Sequence, residues 1–201
     1  MRIIRPSNED EMVLVFLKAE IAVPPYQGSI ERALNAQGYT RAIIDNADFK
    51  NTGENLARTQ CLSCSRGFRR NDWLFKGFPD NVIWQRISLS IEELGRVKYI
   101  NQDGFVKASG HTRLVSDGAR NLDGNTFPED TISKIKGIEG ELRQGHRFPE
   151  LIVVGISETS SLILVEGHKR ATAYMRAAEC FPEGVEIIAG LSEGADSWLW
   201  H

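Results

Sequence analysis

Three short apolar runs constrain this chain more than any other feature. Leu151-Ile152-Val153-Val154, Leu162-Ile163-Leu164-Val165 and Val185-Glu186-Ile187-Ile188 are each bounded by turn formers. Runs of this length, rich in β-branched residues, predict strands buried in a sheet. Asp130 stands where it can cap a helix that carries Ile132, Ile135, Ile138 and Leu142 on one face and ends at Gly145. Ala171, Tyr174, Met175 and Ala178 recur at helical spacing between the second and third runs. The order read from 130 to 190 is therefore α-β-β-α-β.

The first part of the chain reads as helix-rich. Ser7 is a candidate cap for a helix with Glu9, Asp10 and Glu11 in its first turn. Met12 to Leu17 is apolar all round, which predicts a buried helix closed off by Pro24-Pro25. Further helices are expected over 29–37, ending at Gly38, and over 54–65, ending before Gly67. Trp84, Ile87 and Leu89 alternate with polar residues as a strand would, and a helix start follows at Ile91-Glu92-Glu93-Leu94. Turn formers dominate 121–129, so the expected organisation is a helix-rich region over 1–125, packed on a second region over 126–201. The fold class is α+β, with helices packed on a small mixed sheet.

Composition excludes more than it assigns. The 24 basic and 27 acidic side chains leave a net charge of −3, which gives no general field for nucleic acid or anionic membrane. No apolar stretch approaches the length of a membrane span. The N-terminus lacks the apolar core of a secretory signal, and three cysteines form no dense framework, so a cytoplasmic location is expected.

Chemistry concentrates at Glu166-Gly167-His168-Lys169-Arg170. There a predicted strand ends, one glycine turns, and a helix begins at once. Helix N-termini expose unpaired N–H groups and a partial positive charge that attract phosphate. Three potential cations in that first turn oppose the helix dipole unless an anion sits among them. Arg170 can hold phosphate bidentately, Lys169 as a point charge, and His168 can move a proton near neutral pH. The bland alternative has Lys169 and Arg170 solvated and His168 packed locally.

Residues 130–190 resemble the ParB/sulfiredoxin-like superfamily in the helix, the strand after Pro149, the strand-turn-helix over 162–174 and the closing strand at Val185. Gly167 and Arg170 agree with the phosphate-binding signature of all its branches. His168 agrees with the branch related to free-serine kinases, with Glu166 in place of that branch's aspartate. The cysteine of sulfiredoxins is replaced by His168, and the glutamate of chromosome-partition ParB proteins is absent. The resemblance implies a nucleotide- or phosphate-binding protein, extending to transfer of phosphate from a nucleotide, with magnesium, to a small hydroxylated acceptor. Gly167, His168, Lys169 and Arg170 would bind the cofactor, and Glu166 and His168 would be catalytic, with Glu139 and Glu150 as other acidic candidates. The alternative is a non-catalytic module that recognises phosphate or associates with nucleic acid, the less favoured partner.

Three other patterns are weighed against packing. Ser109-Gly110-His111-Thr112-Arg113 is a second Gly-His-x-Arg string, for which Thr112 as a helix cap is a sufficient explanation. Cys61-Leu62-Ser63-Cys64 has half the spacing of a zinc site, but no second pair exists, so packing is expected and no zinc. Arg66, Arg69 and Arg70 near Phe68, Trp73 and Phe75 could meet nucleic acid or could rim a core. Trp198 and Trp200 are either a partner contact or a terminal anchor.

Overall fold

The three apolar runs form strands; those over 151–154 and 162–165 are buried on both faces and show no polar alternation, while the third exposes Glu186. The computed structural model describes residues 1–124 and 126–201; Asn125, inside the turn-rich 121–129 segment, lies outside the described residues. The strands are β1 (Arg2–Pro6), β2 (Ile83–Leu89), β3 (Leu151–Gly155), β4 (Ile163–Glu166) and β5 (Val185–Leu191), in the sheet order β1-β2-β5-β3-β4. Only β3 and β5 pair in parallel; the other neighbours are antiparallel. The fold is mixed α+β. Strands from both sides of the 121–129 segment share this one sheet, since β2 pairs with β5 along its whole length.

Helices α1 (Glu9–Ile21), α2 (Pro24–Asn35), α3 (Ala42–Asp45) and α4 (Thr52–Arg66) contribute to one core with Ile152, Val154, Ile163, Val165 and Ile188. Helices α5 (Ile91–Arg96), α6 (Asp103–Ala108), α7 (Val115–Asn121), α8 (Glu129–Arg143) and α9 (His168–Arg176) contribute to the opposite core with Leu151, Val153, Leu164, Ile187 and Ala189. Odd and even residues of β3 thus face different helical layers, as the strand period requires. Met12 to Leu17 is buried throughout, as its all-round apolar character predicts. Among the described residues no helix is long and apolar enough to cross a membrane.

Several boundaries differ from the sequence reading. Asn8, not Ser7, caps α1, accepting from the Glu11 N–H. Pro24 opens α2 at its first position instead of ending α1, because a proline there lacks only an N–H the helix would leave unpaired. The expected helix over 29–37 therefore runs over 24–35. Pro128, not Asp130, precedes α8. Strand β5 continues three residues past Ile188, and β4 is shifted by one, taking in Glu166. Strand β1 was not anticipated: all five of its residues are exposed, so it carries no apolar alternation.

Candidate functional site

Gly167 lets the chain leave β4 and enter α9 without a connecting loop. Its φ of +100° is left-handed, and a Cβ there would lie 2.4 Å from Leu151 Cδ2. Glycine is required on both counts. Among the described residues no side chain caps α9, so its first N–H groups have no partner within the helix.

The five residues of the turn go in different directions. Arg170 points inward: it is buried, its Nη1 donates to the Pro149 carbonyl at 2.5 Å, and its Nη2 donates to Glu166 Oε1 at 3.1 Å. Glu166 and Arg170 are therefore partners of one another across a single helical turn. Lys169 is half-buried and faces Asp130 and Lys134 of α8; burial and Lys134 lower its pKa, while Asp130 and Glu166 oppose the shift. His168 lies on Phe105, ring centres 4.7 Å apart, with Tyr99 beyond at 6.3 Å. Its Nε2 is shut off from solvent and has no hydrogen-bond partner among the described residues. Burial, then the positive charges of Arg170, Arg66 and Lys169, pushes its pKa down to about 3, against a hydrogen bond to the Leu164 backbone. His168 is therefore neutral at pH 7, and the turn holds two cations there instead of the three its composition suggests. A neutral imidazole has one donor and one acceptor nitrogen, so the buried Nε2 lacks a partner in either tautomer.

The other acidic candidates lie in ion pairs of their own. Glu139 is held by Arg143 at 2.6 Å and Arg176 at 2.7 Å between α8 and α9. Glu150 is paired with Arg86 of β2.

Two residues that the sequence reading did not join to the turn form a buried ion pair that acts on it electrostatically. Glu20 of α1 is buried, with its side chain 3% exposed, and is paired with Arg66 of α4. The Arg66 guanidinium lies over the Tyr26 ring, 4.0 Å from its centre. Glu166 raises the Glu20 pKa and Arg66 lowers that of His168, so the two groups share one electrostatic neighbourhood. The signal for Glu20 is its phase: it falls three and four residues after Leu17 and Phe16, on a helix whose buried face it continues.

No family model, curated protein or solved structure matches this chain. The site must be judged on its own geometry.

The remaining patterns resolve into packing or lie elsewhere. The arginine patch is divided: Arg66 turns to Glu20, Arg69 to Glu9 and Asp80, and Phe68 and Phe75 are buried while Trp73 is exposed. Cys61 is buried, its thiol pushed up to about 12 chiefly by burial, and Cys64 is exposed. Trp198 is buried, with Nε1 donating to the Leu74 carbonyl at 2.6 Å, and Trp200 donates to the Trp73 carbonyl at 3.3 Å. Both anchor the C-terminal segment. A cleft of about 1180 Å³ opens where β3 and β5 end, lined by Arg69, Phe78, Asp80, Ile83, Ile156 and Glu193 among others. Glu166 pairs with Ile152, next to the start of β3, so the turn lies at the opposite end of the sheet.

Proposed function

We propose that this protein binds a nucleotide or phosphorylated small molecule at the Gly167–Arg170 turn, and that the reaction is transfer of phosphate to a small hydroxylated acceptor. The observation that carries the reading is the buried, unpartnered Nε2 of His168 at an uncapped helix start. Burying a polar ring nitrogen without a partner costs about 1–3 kcal/mol, a cost a bound hydroxyl would remove as donor or acceptor. The N–H groups at the start of α9 and the Lys169 ammonium suit a phosphate, and His168 Nε2 suits a hydrogen bond to the hydroxyl that receives it. Gly167 brings the backbone close, and Arg170 acts by holding Glu166 and the Pro149 carbonyl in place, not by reaching for the ligand. Magnesium would enter on the nucleotide's own phosphates. The resemblance to the ParB/sulfiredoxin-like superfamily supports the same reading through Gly167, His168 and Arg170.

A thermal-shift series with nucleotides and magnesium tests the proposal. A ligand at a hundred times its dissociation constant adds about 2.7 kcal/mol of stability. Lys169→Ala should leave the fold intact and weaken the best ligand about fivefold to tenfold, the scale of one partly exposed charged contact. If neither phosphate nor any nucleotide raises the melting temperature, the site reading falls. Tight binding without turnover would select the non-catalytic module instead.

A further inference from the structure

Strands β3 and β5, the parallel pair of the sheet, both run their carboxyl ends to the cleft of about 1180 Å³. Chain that leaves parallel strands at that end opens a crevice, where open sheets take their ligands. The walls of this one are held by hydrogen bonds. The Ser192 N–H donates to the Gly155 carbonyl at 3.0 Å, and the Ser157 N–H donates to Ser160 Oγ at 2.9 Å. In the third wall Asn71 Oδ1 accepts from the Gly77 N–H at 2.5 Å, and Arg69, Asn71 and Trp73 all take positive φ. Side chains enter that left-handed region at a cost, so the loop carries strain to keep its shape. Phe75, Phe78, Ile83, Ile156 and Leu191 give the cleft an apolar lining, and Ile83 is left 68% exposed.

Charge decides what such a lining would take. Among the described residues around the cleft, Asp80, Glu158 and Glu193 bring three carboxylates, and Arg69 is the only cation. Arg69 is already engaged by Glu9 and by Asp80, with its Nη1 donating to Asp80 Oδ1 at 3.3 Å. Glu158 and Glu193 are exposed. An anionic ligand would meet net repulsion here, whereas a cation with an apolar body suits both the lining and the charge. We propose that this cleft is a second binding site, for a small organic cation. Its apolar body lies against Phe78, Ile156 and Leu191, and its ammonium or guanidinium head lies among Asp80, Glu158 and Glu193. The site is separate from the Gly167–Arg170 turn at the opposite end of the sheet, and the two hold ligands of opposite charge.

The probes are tryptamine and indole-3-acetate, which share a ring system and carry opposite charges at neutral pH. Amide NMR titration of the full chain at low salt should give tryptamine a dissociation constant of about 1–5 mM, the scale for so small a body. The shifts should centre on Ile156, Leu191 and Gly194. Indole-3-acetate should bind about tenfold more weakly, and about 0.5 M salt should narrow that gap to about twofold. Glu158→Gln combined with Glu193→Gln changes two exposed side chains, and should weaken tryptamine about threefold to fivefold with the fold intact. Ile83→Ser should weaken both probes alike. The proposal is overturned if tryptamine does not bind below about 20 mM, if the two probes bind equally, or if the shifts centre elsewhere. A charge variant that binds tryptamine as wild type does also overturns it. Should a variant fail to fold, the probe pair and its salt dependence on wild type decide alone. None of these outcomes bears on the turn, whose test uses phosphate and nucleotides.

Discussion

Two stretches of this chain carry the same Gly-His-x-Arg order, and the fold uses them differently. At 109–113 the string follows the end of α6, and Gly110, His111 and Arg113 all adopt positive φ. Arg113 donates to the carbonyls of Tyr99, His201 and Trp200, so its guanidinium ties the C-terminal segment to the body of the protein. His111 is exposed, and the helix that follows begins only at Val115. Thr112, expected as a cap, accepts from the Leu114 N–H at 3.1 Å before the helix starts. At 166–170 the string follows a buried strand, only Gly167 has positive φ, and His168 is the first helical residue, with its Nε2 sealed from solvent. Both arginines are clamps. What separates the two regions is the preceding element, which leaves one histidine half-buried with its Nε2 sealed and the other exposed.

Substitutions matched across the two strings probe that difference, beginning with the largest effect. Gly167→Ala should destabilise by about 4 kcal/mol, combining left-handed strain with overlap against Leu151. Gly110→Ala should cost about 1 kcal/mol, since the nearest atom to its Cβ is Asn121 Nδ2 at 3.7 Å. Urea unfolding of both variants measures the gap, and equal losses would mean the strand-to-helix turn is less constrained than its geometry indicates. Arg170→Ala should cost about 3 kcal/mol, because it leaves Glu166 half-buried without its partner. Arg113→Ala should cost about 2 kcal/mol through its lost carbonyl contacts and should increase proteolysis near Trp200. A stable Arg170→Ala with weakened phosphate binding would reverse the assignment and make Arg170 a ligand contact.

The pH dependence sharpens the contrast further. His168 has a folded pKa of about 3 against a usual 6.5, so between those values the unfolded chain holds a proton the native state lacks. Stability from this group is complete above pH 6.5 and is lost as pH falls towards 3. Glu20 has the opposite sign: its folded pKa of about 7 lies above the usual 4.5, so the native state holds the extra proton and stability falls as pH rises from 4.5 to 7. Between pH 4.5 and 6.5 the two slopes oppose each other. His168→Leu should expose the Glu20 slope, a loss of about 1 kcal/mol per pH unit, and Glu20→Gln should expose the reverse. Parallel profiles for the two variants would contradict both assignments. The smallest effect is expected at His111, where glycine in place of a left-handed histidine should stabilise by about 0.5–1 kcal/mol with no change in pH profile.

Local sequence carried much of the C-terminal architecture. Strands β3, β4 and β5 and the helices around them were legible because their apolar runs and turn residues are short-range signals. The Gly167 turn was legible for the same reason, as was the acidic start of α5, where Ser90 and Glu93 close a reciprocal capping box. Pro24 shows where local reading goes astray: a proline that ends one helix can equally begin the next, and only the path of the chain decides. The site itself was half visible. The residues of the 166–170 turn lie together in sequence, whereas Glu20 is separated from Glu166 by most of the chain, and no spacing rule joins them.

Short-range order along the chain sets which segments are strands and helices over most of 130–190, that the Met12–Leu17 stretch of α1 is buried throughout, and where a glycine must stand. Only the packing in space settles that exposed β1 joins the sheet, that β2 lies against β5, and that Glu20 of α1 pairs with Arg66 of α4. It also decided the charge state of His168. Those outcomes depend on which surfaces meet and how much water they exclude. Pairing, burial and the resulting pKa values are properties of neighbours in space, and the order of residues along the chain does not name those neighbours.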